Sequence, residues 1–130
     1  MAIQDEAPGK VAALCARFLE ERKLSRIEVI DVAESLQIAD CFVIASGRNP
    51  RHLRAAADEL FGRFREWGLK RLGLEGYREA KWILIDLGDV IVHLFVDEVR
   101  EFYDLDSLWG DCPRLDWKAE GSEACAARKV

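Results

Sequence analysis

Soft metal-ligand chemistry is scarce in this 130-residue chain, which has four cysteines and two histidines. Cys15, Cys41, Cys112 and Cys125 form no C-x-x-C pair, and His52 and His93 lie far apart, so no zinc or other metal site is expected. No Gly-rich phosphate loop is present, since the stretch SGRNP (46–50) lacks the glycines such a loop needs. There is no G-x-S-x-G elbow and no H-x-x-E-H-type spacing. No apolar run approaches the roughly 18 residues of a spanning helix. The opening MAIQDEAPGK has neither an apolar h-region nor an Arg/Ser-rich amphipathic pattern, so no secretory or transit segment is expected. Positive charge is also short, with 19 Lys and Arg against 24 Asp and Glu, for a net charge of −5. Bulk attraction to naked nucleic acid is thereby excluded, and a basic partner surface is favoured. Cys15 and Cys41 sit among apolar neighbours and read as buried, reduced thiols, which fits a reducing, cytoplasmic compartment.

Half of the residues are hydrophobic and 33% are charged, the composition of one soluble globular domain. After Pro8-Gly9, the residues Val11, Leu14, Cys15, Phe18 and Leu19 recur at helical spacing, and the helix is expected to end near 24–25. IEVIDV (27–32) and CFVIAS (41–46) read as strands, the second apolar enough to lie inside its sheet. Asn49-Pro50 reads as an N-cap and first helical residue. An apolar stripe then runs from Leu53 to Trp67 and stops at Gly68. RLGLEG (71–76) suits a short strand. Residues 82–87 and 90–96 form two more, joined through Gly88-Asp89 in a type II′ turn. VREFYDLDSLW (99–109) suits one or two short helices with Asp104 between them. From Pro113 the periodicity fades, and 113–130 reads as a mobile tail after a domain spanning 1–112. The class is α/β (α+β), a mixed sheet of about five strands flanked by helices.

The hairpin WILIDLGDVIVHLFV (82–96) is the most apolar stretch, yet it carries Asp86, Asp89 and His93. A two-residue loop pairs Asp86 with Ile91, Leu84 with His93 and Trp82 with Phe95. Strand alternation then gives one face of Trp82, Leu84, Asp86, Ile91, His93 and Phe95, and a second face that is wholly apolar. Asp86 and His93 become diagonal neighbours. They are expected to hydrogen-bond each other, or Asp86 to satisfy turn amides, in preference to catalysis, because only Ser46 stands nearby as a nucleophile. Gly88 and Asp89 read as turn residues.

Two segments have opposite charge. Residues 48–71 hold seven bases against three acids, read as the solvated face of a helix, with RNA contact as an alternative that lacks interleaved aromatics. His52 at its start reads as a surface residue. Residues 86–111 hold eight acids against the single base Arg100. Phe95, Phe102, Tyr103 and Trp109 lie within that acidic frame, which suits a surface for a basic protein partner. Phe102 is as well suited to packing on the sheet.

The words DVAESLQIADCFVIASG (31–47), AD within RAAADEL (54–60), LEG (74–76), KWILIDLGDVIVHLF (81–95) and REFYDLDSLWGD (100–111) carry a resemblance. Together, over about 27–111, they resemble the ribosomal silencing factors, the group related to plant Iojap. That resemblance implies a nucleotidyltransferase-like topology and no enzymatic activity or cofactor. It implies binding to a basic ribosomal protein on the joining face of the large ribosomal subunit, expected to be large-subunit protein number fourteen, with neighbouring ribosomal RNA as a further expected contact. Steric exclusion of the small subunit would then repress translation, notably under nutrient limitation. It also implies a homodimer when free and no membrane contact. On the matching words the partner-binding residues would be Trp82, Asp86, Arg100, Tyr103, Leu108 and Trp109, with Gly88, Asp89 and His93 structural. The sequence departs from the family pattern at Asn49-Pro50, at Glu79-Ala80-Lys81 and at Cys112. Two other readings remain open. One is a nucleotidyltransferase-like enzyme holding Mg²⁺ on Asp86 and Asp89, which the D-x-x-D spacing serves poorly. The other is an RNA-binding module built on the arginine helix.

Overall fold

A computed structural model describes residues 6–118. The first helix, α1 (Pro8–Glu21), places Pro8 in its first turn, where the missing amide costs nothing. It is followed by β1 (Ser25–Asp31) and β2 (Cys41–Gly47). The second helix, α2 (Pro50–Trp67), begins where the Asn49 side chain accepts from the His52 amide at 2.8 Å. It ends at Gly68, which takes the left-handed conformation with φ 75°. Then come β3 (Gly73–Glu75), β4 (Trp82–Asp86), β5 (Val90–Val96), α3 (Asp97–Tyr103) and the short α4 (Leu105–Leu108).

The strands form one mixed sheet in the order β1-β2-β5-β4-β3. Only β2 and β5 run parallel, and the other neighbours are antiparallel. All seven residues of β2 and of β5 are buried, as befits strands with a neighbour on each side and helices above and below. The hairpin register is the expected one, with Trp82 opposite Phe95, Leu84 opposite His93 and Asp86 opposite Ile91. Gly88 at φ 96° turns it, and the Leu87 amide closes it on the Val90 carbonyl at 2.9 Å.

The two sheet faces build two cores. Val43, Ala45, Ile83, Ile85, Val92 and Leu94 pack with Leu19 and Leu60 under α1 and α2. On the other face, Ile30, Phe42, Ile44, Ile91 and Phe95 pack with Val99, Leu105 and Trp109 under α3 and α4. His52 ties α1 to α2 and is half-buried. Its Nδ1 accepts from the Arg48 amide at 3.0 Å, so its Nε2–H donates to the Arg22 carbonyl at 2.8 Å.

Residues 113–118 correct the expected boundary at 112. They are part of the fold and cover the outer edge of β1. Asp31 donates its amide to the Pro113 carbonyl at 2.9 Å, and Leu115 donates to the Val29 carbonyl at 2.9 Å. Leu115 and Trp117 are buried, and the Trp117 indole reaches the Ile27 carbonyl at 3.3 Å. An edge strand left bare would present its amides and carbonyls to other chains, and this segment occupies part of that edge. The rest of the expected tail, 119–130, lies outside the described residues.

Candidate protein-binding surface

The polar face of the hairpin meets α3 and α4 in a connected run of rings. Phe102 lies 5.1 Å from Tyr103 between ring centroids, and Tyr103 lies 4.8 Å from Trp82. Trp82 continues to His93 at 6.0 Å, His93 to Phe42 at 4.6 Å, and Phe42 to Trp109 at 5.6 Å. All of these distances fall in the range where aromatic pairs attract beyond their buried area. Trp82 also stacks on Phe95 at 4.9 Å. The inner rings are therefore held rigidly, and the outer ones project. Phe102 is 80% exposed, Tyr103 52% and Leu108 67%, while Trp82 and Trp109 are half-buried. Exposed apolar groups on such a base make this face the candidate docking surface.

His93 does not pair with Asp86. The Trp82 indole N–H, which can only donate, points to His93 Nδ1 at 3.1 Å. Nδ1 is therefore the acceptor, and the proton of the neutral ring sits on Nε2. That Nε2 is buried with no hydrogen-bond partner among the described residues. Burial lowers the His93 pKa from 6.5 to about 4, because a charged ring would lose its hydration. Asp86 turns the other way, and its Oδ1 accepts from the Gly88 amide at 2.8 Å. The Asp89 side chain is exposed, and its carbonyl accepts from the amides of Asp40 and Cys41, which ties the hairpin tip to the start of β2.

Arg100, expected on the contact surface, is corrected by its burial, for it is 2% exposed. Its guanidinium forks onto Asp106, with Nε to Oδ2 at 3.0 Å and Nη2 to Oδ1 at 2.9 Å. Nη1 donates to the Arg26 carbonyl at 2.6 Å and to Ser46 Oγ at 2.9 Å. The Arg26 carbonyl is available because β1 is irregular there, with φ 50° at Arg26 and a register shift between Ser25 and Glu28. Arg100 thus fixes α3 and α4 against β1 and β2. Hydrogen bonding from Arg100 holds the Asp106 carboxyl below its ordinary pKa. Ser46 is 1% exposed and serves as an acceptor for Arg100.

Acids frame the projecting rings. Asp97, Glu98, Glu101, Asp104 and Asp111 are all exposed. Arg26 offsets two of them, lying 3.5 Å from Asp97 and 3.5 Å from Glu101. Phe102 is the contact candidate that sequence reasoning left undecided. A signal was available, because Phe102 falls four positions after Glu98, on the face of α3 that carries that acid and opposite the buried Arg100. No group of three or more His, Cys, Asp and Glu side chains among the described residues is placed to hold a metal ion.

A family model described as ribosomal silencing factor during starvation matches residues 4–129. Proteins named ribosomal silencing factor from Halalkalibacterium halodurans and Zymomonas mobilis are 37% and 39% identical to this chain. Each match runs over 103 residues and covers 79% of this chain, with 88% and 77% of the two relatives. A Mus musculus protein named mitochondrial assembly of ribosomal large subunit protein 1 is 32% identical over 113 residues. That match covers 78% of this chain and 50% of the mouse protein. Among solved structures, a crystal structure of a Chromobacterium violaceum protein superposes with a TM-score of 0.72 at 31% identity. It covers 85% of this chain and 88% of that one.

Proposed function

Because this chain belongs to the ribosomal silencing factor family, we propose that it docks on the large ribosomal subunit and keeps the small subunit from joining. The contact is made to a basic ribosomal protein of the joining face, expected to be large-subunit protein number fourteen. The action is steric. It needs bulk at the joining face and a long residence time, not a reaction. Translation falls as a result, notably when nutrients are short, and the protein works in the cytoplasm and self-associates as a homodimer when free.

The observation that supports this reading best is the exposed pair Phe102 and Tyr103 at the end of a connected run of rings, with Leu108 exposed on α4, among exposed acids. Such a surface suits a basic protein: the acids speed encounter and the rings supply the anchor. The mouse relative, named for assembly of the large ribosomal subunit, is consistent with a large-subunit partner. No helix among the described residues is long and apolar enough to cross a membrane.

Titration calorimetry with the purified large-subunit protein tests the contact. Phe102→Ala and Leu108→Ala remove exposed side chains, so folding is expected to be unchanged. A central anchor costs about 2 kcal/mol, roughly 30-fold in Kd, when truncated. Wild-type affinity in the double variant would remove this surface from the account.

A further inference from the structure

On the sheet face opposite the ring stack, α2 and the loop after it shape an open groove. Phe61, Phe64, Arg65, Leu69 and Arg71 line it, and its volume is about 260 Å³. The Arg71 guanidinium lies over the Phe61 ring, 4.3 Å from its centroid. Tyr77, carried in by the β3–β4 connection, lies 6.4 Å from Phe61 with the rings tilted by 35°. Phe61 and Phe64 belong to the basic segment itself, and the fold adds Tyr77 beside them.

The charge balance at the groove is more positive than the composition of α2. Tyr77 Oη donates to Asp58 at 2.7 Å, and Glu59 is held by Arg22. Glu66 also has a partner within the chain. Arg65, Lys70 and Arg71 are exposed, and none of them joins an ion pair among the described residues. The carbonyl end of α2 opposes an anion here with about half a charge, which three free cations outweigh.

We propose that this groove binds single-stranded RNA. An unpaired base stacks on the outer face of the Arg71 guanidinium, whose inner face covers Phe61, and the flanking phosphates fall to Arg65, Lys70 and Arg71. A guanidinium plane backed by an aromatic ring accepts any base, and free cations at the rim accept the backbone, so recognition is by stacking and charge and not by sequence. The inference leans on the ribosomal reading only for the source of the RNA. The site itself is tested without ribosomes, so either claim can fail while the other stands.

The experiment is fluorescence anisotropy of a labelled ten-nucleotide RNA of mixed sequence, titrated with the full chain at several salt concentrations. Three neutralised phosphates predict binding about 20-fold weaker at 200 mM than at 50 mM salt. The double variant Arg65→Gln, Arg71→Gln is expected to bind at least about tenfold more weakly at 50 mM with a shallower salt slope. A control with Lys23→Gln and Lys118→Gln, which removes the same charge from exposed positions elsewhere, is expected to stay within about twofold of wild type. Absence of binding at 50 mM salt overturns the proposal, and so does equal loss in the control. Equal affinity for an oligo-glutamate of matching charge also overturns it, in favour of an acidic protein ligand.

Discussion

Trp82 and His93 form the smallest unit on which the surface depends. One indole N–H and one imidazole nitrogen share a single hydrogen bond beneath exposed rings, and only the neutral imidazole can accept it. The folded His93 pKa is lowered to about 4 from 6.5. The unfolded chain therefore binds a proton first on acidification. Stability from this residue is complete above about pH 6.5 and is lost as the pH falls toward 4. The shift corresponds to about 3 kcal/mol across that window. Denaturant midpoints measured from pH 7 to pH 4 should fall accordingly, and His93→Gln, whose carbonyl can accept the indole proton, should flatten the profile. Asp106 acts in the same direction at lower pH, because its lowered pKa favours the folded state only while the carboxylate is ionised. Arg100 is the other single residue of consequence. Truncating it to Met would leave Asp106, Ser46 and the Arg26 carbonyl unsatisfied around a buried site. The Asp106 side chain is 29% exposed and can be rehydrated, so the cost is that of the buried hydrogen bonds left unmade, about 1–3 kcal/mol, and chemical denaturation of Arg100→Met should show a loss of that order. Arg100→Lys keeps the charge without the fork and is expected to recover only part of it.

At the scale of elements, glycines decide two turns. Gly76 has φ 78°, and a Cβ added there would collide with the Trp82 carbonyl oxygen. The turn after β3 thus sets the backbone that presents Trp82. Gly76→Ala is expected to cost on the order of 3 kcal/mol or more, read as a lowered thermal midpoint, since both the conformation and the space are wrong. The hairpin, α2 and both central strands were legible in the sequence because each is long and strongly patterned. Asn49-Pro50 and Gly68 marked the ends of α2, and period-two alternation fixed which hairpin face carries Trp82 and His93. Less was legible where contacts are distant in sequence. For Asp86 two roles were legible, a bond to the diagonal His93 or one to the turn amides; the Gly88 amide two residues away takes it, and Trp82 takes the imidazole. Arg100 looked like a contact because it was the one base among acids, but its acceptors are as much as 74 residues away. The edge segment 113–118 offers only Leu115 and Trp117 as alternating apolar residues, too short a run to reveal a strand-like pairing with β1.

At the scale of the molecule, the described residues divide their charges between the two sheet faces. Acids and projecting rings lie by α3 and α4 on one face of the sheet, and unpaired arginines lie by α2 on the other. A net charge of −5 hides this division. In the proposed complex the acidic pole meets a basic ribosomal protein while the basic pole remains available to RNA phosphates. Long-range attraction at the acidic pole predicts an association rate that falls with ionic strength, while dissociation changes less. Stopped-flow binding to the isolated large-subunit protein at several salt concentrations measures both. The most direct test of the account uses whole subunits. Purified protein is mixed with large subunits, small subunits are added last, and the mixture is resolved on a density gradient. The account predicts that the protein travels with the large subunit and lowers the yield of joined ribosomes, and that Phe102→Ala with Leu108→Ala abolishes both effects. Protein left at the top of the gradient at low salt would contradict it, as would a chain that rides on the large subunit while joining proceeds undiminished.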